Sequence, residues 1–479
     1  MKILLALPII GLALGLVRGA VETVNSEVVV DSVERHIDLT SQLVKINAKI
    51  KLSNNGPGAI KSFHYAVDAN AKEKLAFIGA TVRFKFWHRQ SFQQFWTLKV
   101  GSNDKTYLRV QEVQVRDAPT GTGFYRIELK KALSPGEATT VEVDVLLAKA
   151  LEMYPKEIVQ RERQLVLYSG NHYVLLPYKC KSQTTKITLP SATVESYSKL
   201  KPVSMTESTI TYGPFANVEA YSSDDMTVHY ENNNAFLVVS RLERVLEVSM
   251  WGNILVIVFQ FSFNFSCQWQ FFSWNLTKVS FLGNIAVEET VDVVHKGAVL
   301  KGSFSRYEFQ RENSGVSAVK SFKTFLPASA NGVYYRDDIG NISTSAMRVL
   351  DDAVELDLRP RFPLFGGWKT HYVLGYNVPS YEYLYNKGDD FVLNMRLLDH
   401  VFDEMLVEEF VVKIILPEGS KVGKFEAPFP TKRLPDSLHY TYLDIQGRPV
   451  VTIEGVNDLT EKHIMDFQLE FQFSRYYGL

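Results

Sequence analysis

Apolar and polar residues alternate along much of this chain with the period of a β-strand. The clearest example lies between residues 44 and 52, where the apolar positions are Val44, Ile46, Ala48, Ile50 and Leu52. Lysine and asparagine occupy the positions between them. Because successive side chains of a strand point to opposite faces, this segment is predicted to be a half-buried strand with a lysine-bearing solvent face. The turn sequence NNGPG at 54–58 ends it.

The same alternation recurs at 141–145 and again at 467–473, and short turns such as Ser134-Pro135-Gly136 separate the segments. A similar pattern restarts near Ile285. These repeats of strand and turn predict a mainly β protein with two tandem β-sandwich-like domains, residues 21–235 and 236–479. Few short helices are expected, at 399–409 and at 458–465, the second with Thr460 as its cap.

The most distinctive stretch is 359–385, RPRFPLFGGWKTHYVLGYNVPSYEYLY. Its prolines belong at strand ends or edges because proline cannot donate to a sheet ladder. Residues 370–376 between them are predicted to form a strand. Core packing is the usual fate of such large side chains, and partner binding is the alternative for four aromatics of this stretch. They are Trp368, Tyr372, Tyr381 and Tyr383.

The N-terminus has the organisation of a secretory signal peptide. A lysine is followed by the apolar run ILLALPIIGLALGLV and then by small residues at Gly19 and Ala20. Residues 1–20 are therefore predicted to be a signal peptide, because an apolar membrane anchor needs about 20 apolar residues.

Two further segments depart from the strand pattern. Residues 248–277 carry no charge, but polar residues and aromatics interrupt the run, which argues against a membrane span. Residues 83–98, RFKFWHRQSFQQFWTL, interleave basic and aromatic side chains. Such a segment could stack single-stranded nucleic acid or lie at a membrane interface, although one more strand or an insertion is the favoured interpretation.

Charge and cysteine content narrow the function classes. The chain has 52 basic and 53 acidic residues, so it lacks the basic excess of nucleic-acid-binding domains, and no nucleic-acid partner is expected. Only two cysteines are present, Cys180 and Cys267, which allows one disulfide at most and excludes a disulfide-stapled scaffold.

No sequence motif predicts catalysis, cofactor binding or metal binding. Phosphate-binding loops, zinc-protease motifs and nucleophile elbows are absent from the sequence. Adjacent acids occur at 224–225, 337–338, 351–352 and 389–390, where solvated turns are the expected setting. We therefore expect no catalytic, cofactor-binding or metal-binding residues and no cofactor.

Three sequons are candidate N-glycosylation sites, and they are Asn264, Asn275 and Asn341. Asn341 is the preferred candidate because it lies in a polar, turn-like context, whereas the other two lie in the uncharged segment.

Several long strings, in chain order, resemble the ribophorin I family. They include GNHY at 170–173, VHYENN at 228–233, YYRDDIGNIST at 334–344, FPLFGGWKTHYVLGYNVPSYEYLY at 362–385 and LHYTYLDIQGRPV at 438–450. The resemblance extends over most of residues 21–475. It also aligns Asn341 with a sequon position of the family.

The resemblance implies an accessory, non-catalytic subunit of the oligosaccharyltransferase complex, which N-glycosylates nascent proteins in the endoplasmic reticulum. The implied partners are other subunits, including the catalytic one, and nascent polypeptides, and the implied location is the lumenal side. Membrane association is expected for the family, and we expect this chain to lack the C-terminal membrane span and cytosolic region that the family has.

The resemblance also implies an insertion. The family reads WGN directly into IAVEE, whereas here residues 254–284 intervene, and the sequence GNI occurs at both junctions. Two alternatives to the accessory role stay open on residues alone: a secreted β-sandwich binding module, and a β-sandwich hydrolase with an unrecognised site.

Overall fold

The computed structural model describes residues 21–83, 105–116, 118–250, 283–311, 317–442 and 444–473. Within these ranges nearly all regular structure is β-strand, which confirms the prediction of a mainly β protein with few short helices. Several predictions fall outside them: the signal peptide 1–20, nearly all of 83–98 and 254–284, and the residues Asn264, Cys267 and Asn275.

Sixteen strands lie in the first half of the chain. They are β1 (Val28–Asp38), β2 (Val44–Asn54), β3 (Ile60–Val67), β4 (Leu75–Arg83), β5 (Lys105–Leu108), β6 (Val110–Val113), β7 (Gly123–Leu133), β8 (Ala138–Leu147), β9 (Leu151–Met153), β10 (Glu157–Ile158), β11 (Leu165–Asn171), β12 (Cys180–Thr188), β13 (Val194–Tyr197), β14 (Val203–Thr206), β15 (Thr209–Val218) and β16 (Asp225–Glu231).

The second half contains the remaining strands of the described residues. They are β17 (Leu237–Ser249), β18 (Asn284–His295), β19 (Val299–Leu300), β20 (Phe322–Pro327), β21 (Asn331–Asp337), β22 (Gly340–Asn341), β23 (Ala346–Val349), β24 (Ala353–Leu358), β25 (Lys369–Pro379), β26 (Leu384–Lys387), β27 (Asp390–Arg396), β28 (Leu406–Ile415), β29 (Lys421–Glu426), β30 (Thr431–Arg433), β31 (Ser437–His439), β32 (Arg448–Gly455), β33 (Leu459–Thr460) and β34 (Asp466–Gln472). Short helices are α1 (Ala69–Glu73) and α2 (Arg306–Arg311), with single 3-10 turns at Ser380–Glu382 and Glu461–His463.

Strand β2 shows why the alternation predicts the fold. Ala48, Ile50 and Leu52 are at most 2% exposed, whereas Lys49 and Lys51 face solvent. The strand pairs with β1 on one side and β8 on the other, so its apolar face covers the core while its lysines stay in water.

The first half is built around an eight-stranded sheet with the order β14-β15-β12-β1-β2-β8-β4-β5. A four-stranded sheet (β13-β16-β11-β9) and a three-stranded sheet (β3-β7-β6) accompany it. Buried side chains from all three sheets, such as Val33, Phe63 and Tyr230, belong to one continuous hydrophobic cluster. The sheets therefore enclose a shared core, as in layered β architectures.

The second half is built around a larger sheet with the order β22-β21-β25-β18-β17-β28-β32-β30, to which β31 and β33 add. Smaller sheets, β20-β24-β23 and β26-β27-β34-β29, complete it. Its hydrophobic cluster begins at Leu237, whereas the first cluster ends at Phe236. We propose that these clusters are the cores of two domains, residues 21–235 and 236–479.

The two halves contact each other through apolar and polar groups. Leu43 and Leu146 of the first half share a small buried cluster with Val238 and Leu406 of the second. The side chain of Gln42 donates from Nε2 to the backbone oxygen of Glu404 at 2.5 Å. Strands β10 and β19, one from each half, also pair in parallel.

The prediction of a helix at 399–409 is wrong. Glu404 has φ +59°, which is incompatible with a right-handed helix, and Leu406 and Val407 open strand β28. That strand lies in the middle of the large sheet, parallel to β17, so tertiary pairing overrides the local helical pattern.

The helix predicted at 458–465 is reduced to the 3-10 turn Glu461–His463. Thr460 precedes the turn as predicted, and its backbone N–H donates to Nδ1 of His463 at 3.1 Å. The sequence pattern did not predict helix α1. Asp68 caps this helix by accepting from the N–H of Ala71 at 2.7 Å.

Candidate functional site

One arginine and two carboxylates lie together inside the second half. Arg244 on β17 and Glu289 on β18 are direct cross-strand partners, and Asp399 follows β27. All three are 0–1% exposed. Arg244 Nη1 lies 2.8 Å from Asp399 Oδ2 and also contacts Glu289, and the hydroxyl of Tyr376 donates to Asp399 Oδ2. We call these four residues the buried ionic cluster.

The buried ionic cluster has one guanidinium for two carboxylates. Burial raises the pKa of Glu289, the Arg244 guanidinium opposes this shift, and the Asp399 carboxylate adds to it. Burying a charge without a partner of opposite sign costs several kcal/mol of folding free energy. Because one arginine can neutralise only one of the two carboxylates, the second carboxylate must be neutralised by a proton or by another cation.

In the sequence, this cluster is marked by charged residues at strand positions that face the core. Arg244 has the same orientation as Leu242 and Leu246, and Glu289 lies between the inward residues Val287 and Val291. A charged residue on the apolar face of an alternating strand predicts a buried partner. Sequence analysis missed the cluster because the arginine and the carboxylates are far apart along the chain.

The aromatic stretch 359–385 divides between core and surface. Strand β25 carries Tyr372, which is 1% exposed and packs against Phe322 and Tyr335. Trp368 is partly buried against Phe365, with ring centroids 5.4 Å apart. Tyr381 is 63% exposed, and Tyr383 is partly buried. Core packing therefore accounts for Tyr372 and, in part, for Trp368.

A second group of acids and a histidine lines an open cavity of about 580 Å³. His371 Nδ1 lies 2.7 Å from Asp292 Oδ1, and its Nε2 lies 3.9 Å from the exposed Asp338. Ser240 also lines the cavity, but its hydroxyl donates to the backbone oxygen of Asp292 instead of approaching the imidazole. The geometry does not form a nucleophile–base pair.

The remaining acid of this cavity is held by an arginine. Asp337 accepts from Arg361, and this hydrogen bond lowers the pKa of Asp337 to about 2. A carboxylate paired in this way is a poor general acid or base near neutral pH. This cavity therefore gives the hydrolase alternative no support.

One group of potential metal ligands occurs among the described residues. The ligand atoms of His400, Asp403 and Glu461 lie within 4.8 Å of one another. Both carboxylate residues are exposed, and His400 Nε2 lies 3.3 Å from Asp403 Oδ1. Glu461 accepts in turn from the backbone N–H of Glu404, so each of the three side chains has a protein partner.

The glycosylation candidate Asn341 is exposed on β22, in the tight hairpin with β21. It lines an open cavity of about 620 Å³ together with Ser343 and residues 359–363. An exposed turn is a setting in which an acceptor asparagine is accessible.

Cys180 is a buried thiol at the start of β12, without a disulfide partner in the described part of the chain. Its Sγ lies 3.1 Å from the backbone oxygen of Ser182, and burial raises the pKa of the thiol. A protonated, buried thiol of this kind is a packing residue.

The sequence model of the ribophorin I family matches residues 28–258 and 275–479. The chain belongs to the ribophorin I family. The resemblance found in the sequence is thereby confirmed.

Three curated relatives of this ribophorin I family chain are subunits of one enzyme, the dolichyl-diphosphooligosaccharide–protein glycosyltransferase. Subunit 1 from Caenorhabditis elegans is 35% identical over 92% of this chain and 67% of its own length. Subunit 1A from Arabidopsis thaliana is 34% identical over 94% of this chain and 66% of its own length. Subunit 1B from the same plant is 35% identical over 93% of this chain and 87% of its own length. The chain thus spans about two thirds of the length of the first two relatives.

The family match is interrupted at residues 259–274, inside the uncharged segment. Strands β17 and β18 are paired up to the ends that precede residue 250 and follow residue 283, where Ser249 lies opposite Asn284.

Solved structures resemble this ribophorin I family chain only in part. An M1 zinc metallopeptidase from Deinococcus radiodurans superposes with a TM-score of 0.23 and 13% identity, covering 47% of this chain and 44% of that one. This likeness is too low to carry an argument. Among the described residues, the helices are too short to cross a membrane.

Proposed function

We propose that this chain is an accessory, non-catalytic subunit of the oligosaccharyltransferase complex in the endoplasmic reticulum. It holds the complex together and helps present nascent polypeptide, while another subunit transfers the lipid-linked oligosaccharide to asparagine. The observation that carries the proposal is the family match over residues 28–258 and 275–479, whose curated relatives bear the name of subunit 1.

The accessory role is supported by the ion pairs that hold two acids of the second half of the chain. Arg361 pairs with Asp337, and Arg244 pairs with Asp399. Two β cores joined through an apolar contact suit a scaffold that presents surfaces to other polypeptides.

The lumenal location is supported by the pattern that predicts a signal peptide at 1–20 and by the exposed sequon at Asn341. Both are features of a chain that passes through the secretory route. We propose that Asn341 carries an N-glycan and that other oligosaccharyltransferase subunits and nascent chains are the partners.

Replacement of the endogenous relative in cells tests the proposal. The endogenous subunit 1 is depleted, and this chain or a full-length relative is expressed in its place. Occupancy of a multi-sequon reporter glycoprotein is then measured by mass spectrometry. We expect depletion to lower occupancy and expression of this chain to restore part of it relative to the full-length control.

Catalysis is tested separately with the purified chain, lipid-linked oligosaccharide and an acceptor peptide. The proposal predicts no glycopeptide from the chain alone. Transfer by the chain alone would overturn the non-catalytic assignment, and full reporter occupancy after depletion would overturn the accessory role.

A further inference from the structure

The sequon asparagine Asn341 lies on the wall of a cavity with room for sugar rings. The cavity has a volume of about 620 Å³, and Ser343, the hydroxyl residue of the same sequon, lines it as well. Ligand sites in proteins occupy roughly 300–1,000 Å³. A glycan attached to this asparagine therefore begins beside a volume that can hold its first sugars.

The attachment point is held in place by the hairpin that carries it. Oδ1 of Asp337 accepts from the N–H of Gly340 at 3.0 Å, and Nη2 of Arg361 donates to the backbone oxygen of Gly340 at 3.1 Å. Ile342, which follows the asparagine, packs against the hydrophobic core. Because the position of Asn341 is fixed, less freedom is lost when an attached sugar enters the cavity.

Aromatic side chains on the cavity wall offer a surface for sugar rings. Phe362 is 44% exposed and lines both this cavity and the neighbouring one. Phe309 of α2 lines the cavity from another side. The C–H groups of a sugar ring carry a small positive charge and pack favourably on the negative face of an aromatic ring. A bound sugar would also remove apolar surface from water.

The charged groups of the lining favour a neutral ligand over an anion. The described lining residues include Lys320, Arg359 and Arg361 and no carboxylate. Both guanidinium groups are already paired, Arg359 with Asp357 at 3.0 Å and Arg361 with Asp337. Pairing neutralises their charge, while lysine and arginine offer three and five N–H donors. Sugar hydroxyl and acetamide oxygens are suitable acceptors for such donors.

We propose that this cavity binds the first sugars of an N-glycan carried by Asn341. The inference rests on the glycosylation of Asn341 proposed above. The sugar rings pack on Phe362, and their oxygens accept from Lys320 and Arg359. Because the glycan is tethered at the cavity wall, its effective concentration there is on the order of millimolar, so weak contacts suffice to fill the cavity.

Cleavage by endoglycosidase H, which cuts between the first two sugars, tests the proposal. The full chain with Pro57→Thr, which completes a sequon at the exposed Asn55, is expressed in secretory cells with a mannosidase inhibitor. Site-specific mass spectrometry follows cleavage at both asparagines. In the native chain we expect cleavage at Asn341 to be at least about tenfold slower than at Asn55, because only unbound glycan is cut. After denaturation the two rates should be equal.

Variants separate binding from simple shielding by the hairpin. Lys320→Met keeps the length of an exposed side chain and removes its N–H donors, and Phe362→Ser removes an aromatic ring. Both are expected to speed native cleavage at Asn341 by about threefold or more. Tyr381→Ser, at an aromatic residue that is 63% exposed outside this cavity, should leave the rate unchanged. Urea midpoints verify that each variant is folded.

The outcomes distinguish this inference from the glycosylation itself. Glycosylated Asn341 that is cleaved as fast as Asn55 in the native chain would overturn binding in the cavity and leave the glycosylation standing. Slow cleavage at Asn341 that is unchanged in Lys320→Met and in Phe362→Ser would also overturn it. Unmodified Asn341 would overturn the proposed glycosylation and this inference together.

Discussion

Ser249 and Asn284 face each other as the last paired residues of β17 and β18, although 34 residues lie between them in the chain. The ladder continues in register from Val248 opposite Ile285 into the sheet. A tight hairpin turn would therefore join these strands without altering their pairing.

Deletion of 254–284 is predicted to close this hairpin. Asn253 then takes the position of Asn284, whose Nδ2 donates to Asn377 Oδ1 at 2.7 Å. Gly252 takes the position of Gly283, where a Cβ would lie 2.6 Å from the backbone oxygen of Ser249. The three-residue loop Met250-Trp251-Gly252 is a favoured hairpin length with glycine at its last position.

The deletion variant is expected to keep the midpoint of urea unfolding and to aggregate less, because an apolar uncharged segment is lost. Adding Gly252→Val to the deletion variant is the control, and it should lower the midpoint. Loss of cooperative unfolding in the simple deletion variant would show that 254–284 belongs to the folded core.

Removing the positive charge from the buried ionic cluster is predicted to destabilise the folded chain strongly. Arg244→Met leaves Glu289 and Asp399 buried without their cation, and loss of one partner of a buried pair costs about 3–5 kcal/mol. Urea unfolding at constant pH measures this change. The triple variant Arg244→Met/Glu289→Gln/Asp399→Asn should recover much of the loss, whereas equal stability of Arg244→Met and the parent chain would contradict the assignment.

The pH dependence of stability is predicted to contain two opposing contributions. Burial raises the pKa of Glu289 from 4.5 to about 7, so the folded state holds an extra proton and this contribution to stability falls as pH rises through that window. Burial lowers the pKa of His295 from 6.5 to about 4, so its contribution rises as pH increases from 4 to 6.5. Each slope is at most about 1.4 kcal/mol per pH unit.

Substitution of Glu289 separates its contribution to the pH dependence of stability from that of His295. Glu289→Gln removes the falling contribution, so the variant should gain stability more steeply than the parent chain between pH 4.5 and 6.5. Unfolding free energies measured by urea titration at several pH values test this. Identical pH profiles for variant and parent would contradict a titrating Glu289.

Glycosylation of Asn341 is predicted when the chain is expressed in the secretory pathway. Site-specific mass spectrometry should find a glycan at Asn341 in the parent chain and in Ser343→Thr, which keeps the acceptor sequence. Ser343→Ala, which leaves the asparagine in place, should abolish it. Unmodified Asn341 throughout the secreted material would disprove the prediction.

Strand alternation was sufficient to predict the β class, since β2, β8 and β34 lie where residues 44–52, 141–145 and 467–473 predicted them. The segment 399–409 shows the limit, because parallel pairing of β28 with β17 depends on residues far away in sequence. The buried ionic cluster could not be predicted from the sequence either, since its residues come from β17, β18, β25 and the segment after β27 and meet only in the folded chain.

Co-purification tests the central claim most directly. The tagged chain is recovered from microsomes in mild detergent, and associated proteins are identified by mass spectrometry alongside a full-length family member and an unrelated lumenal β protein. The account predicts enrichment of the catalytic oligosaccharyltransferase subunit with this chain above the unrelated control. Recovery of that subunit with the full-length family member but not with this chain would contradict it.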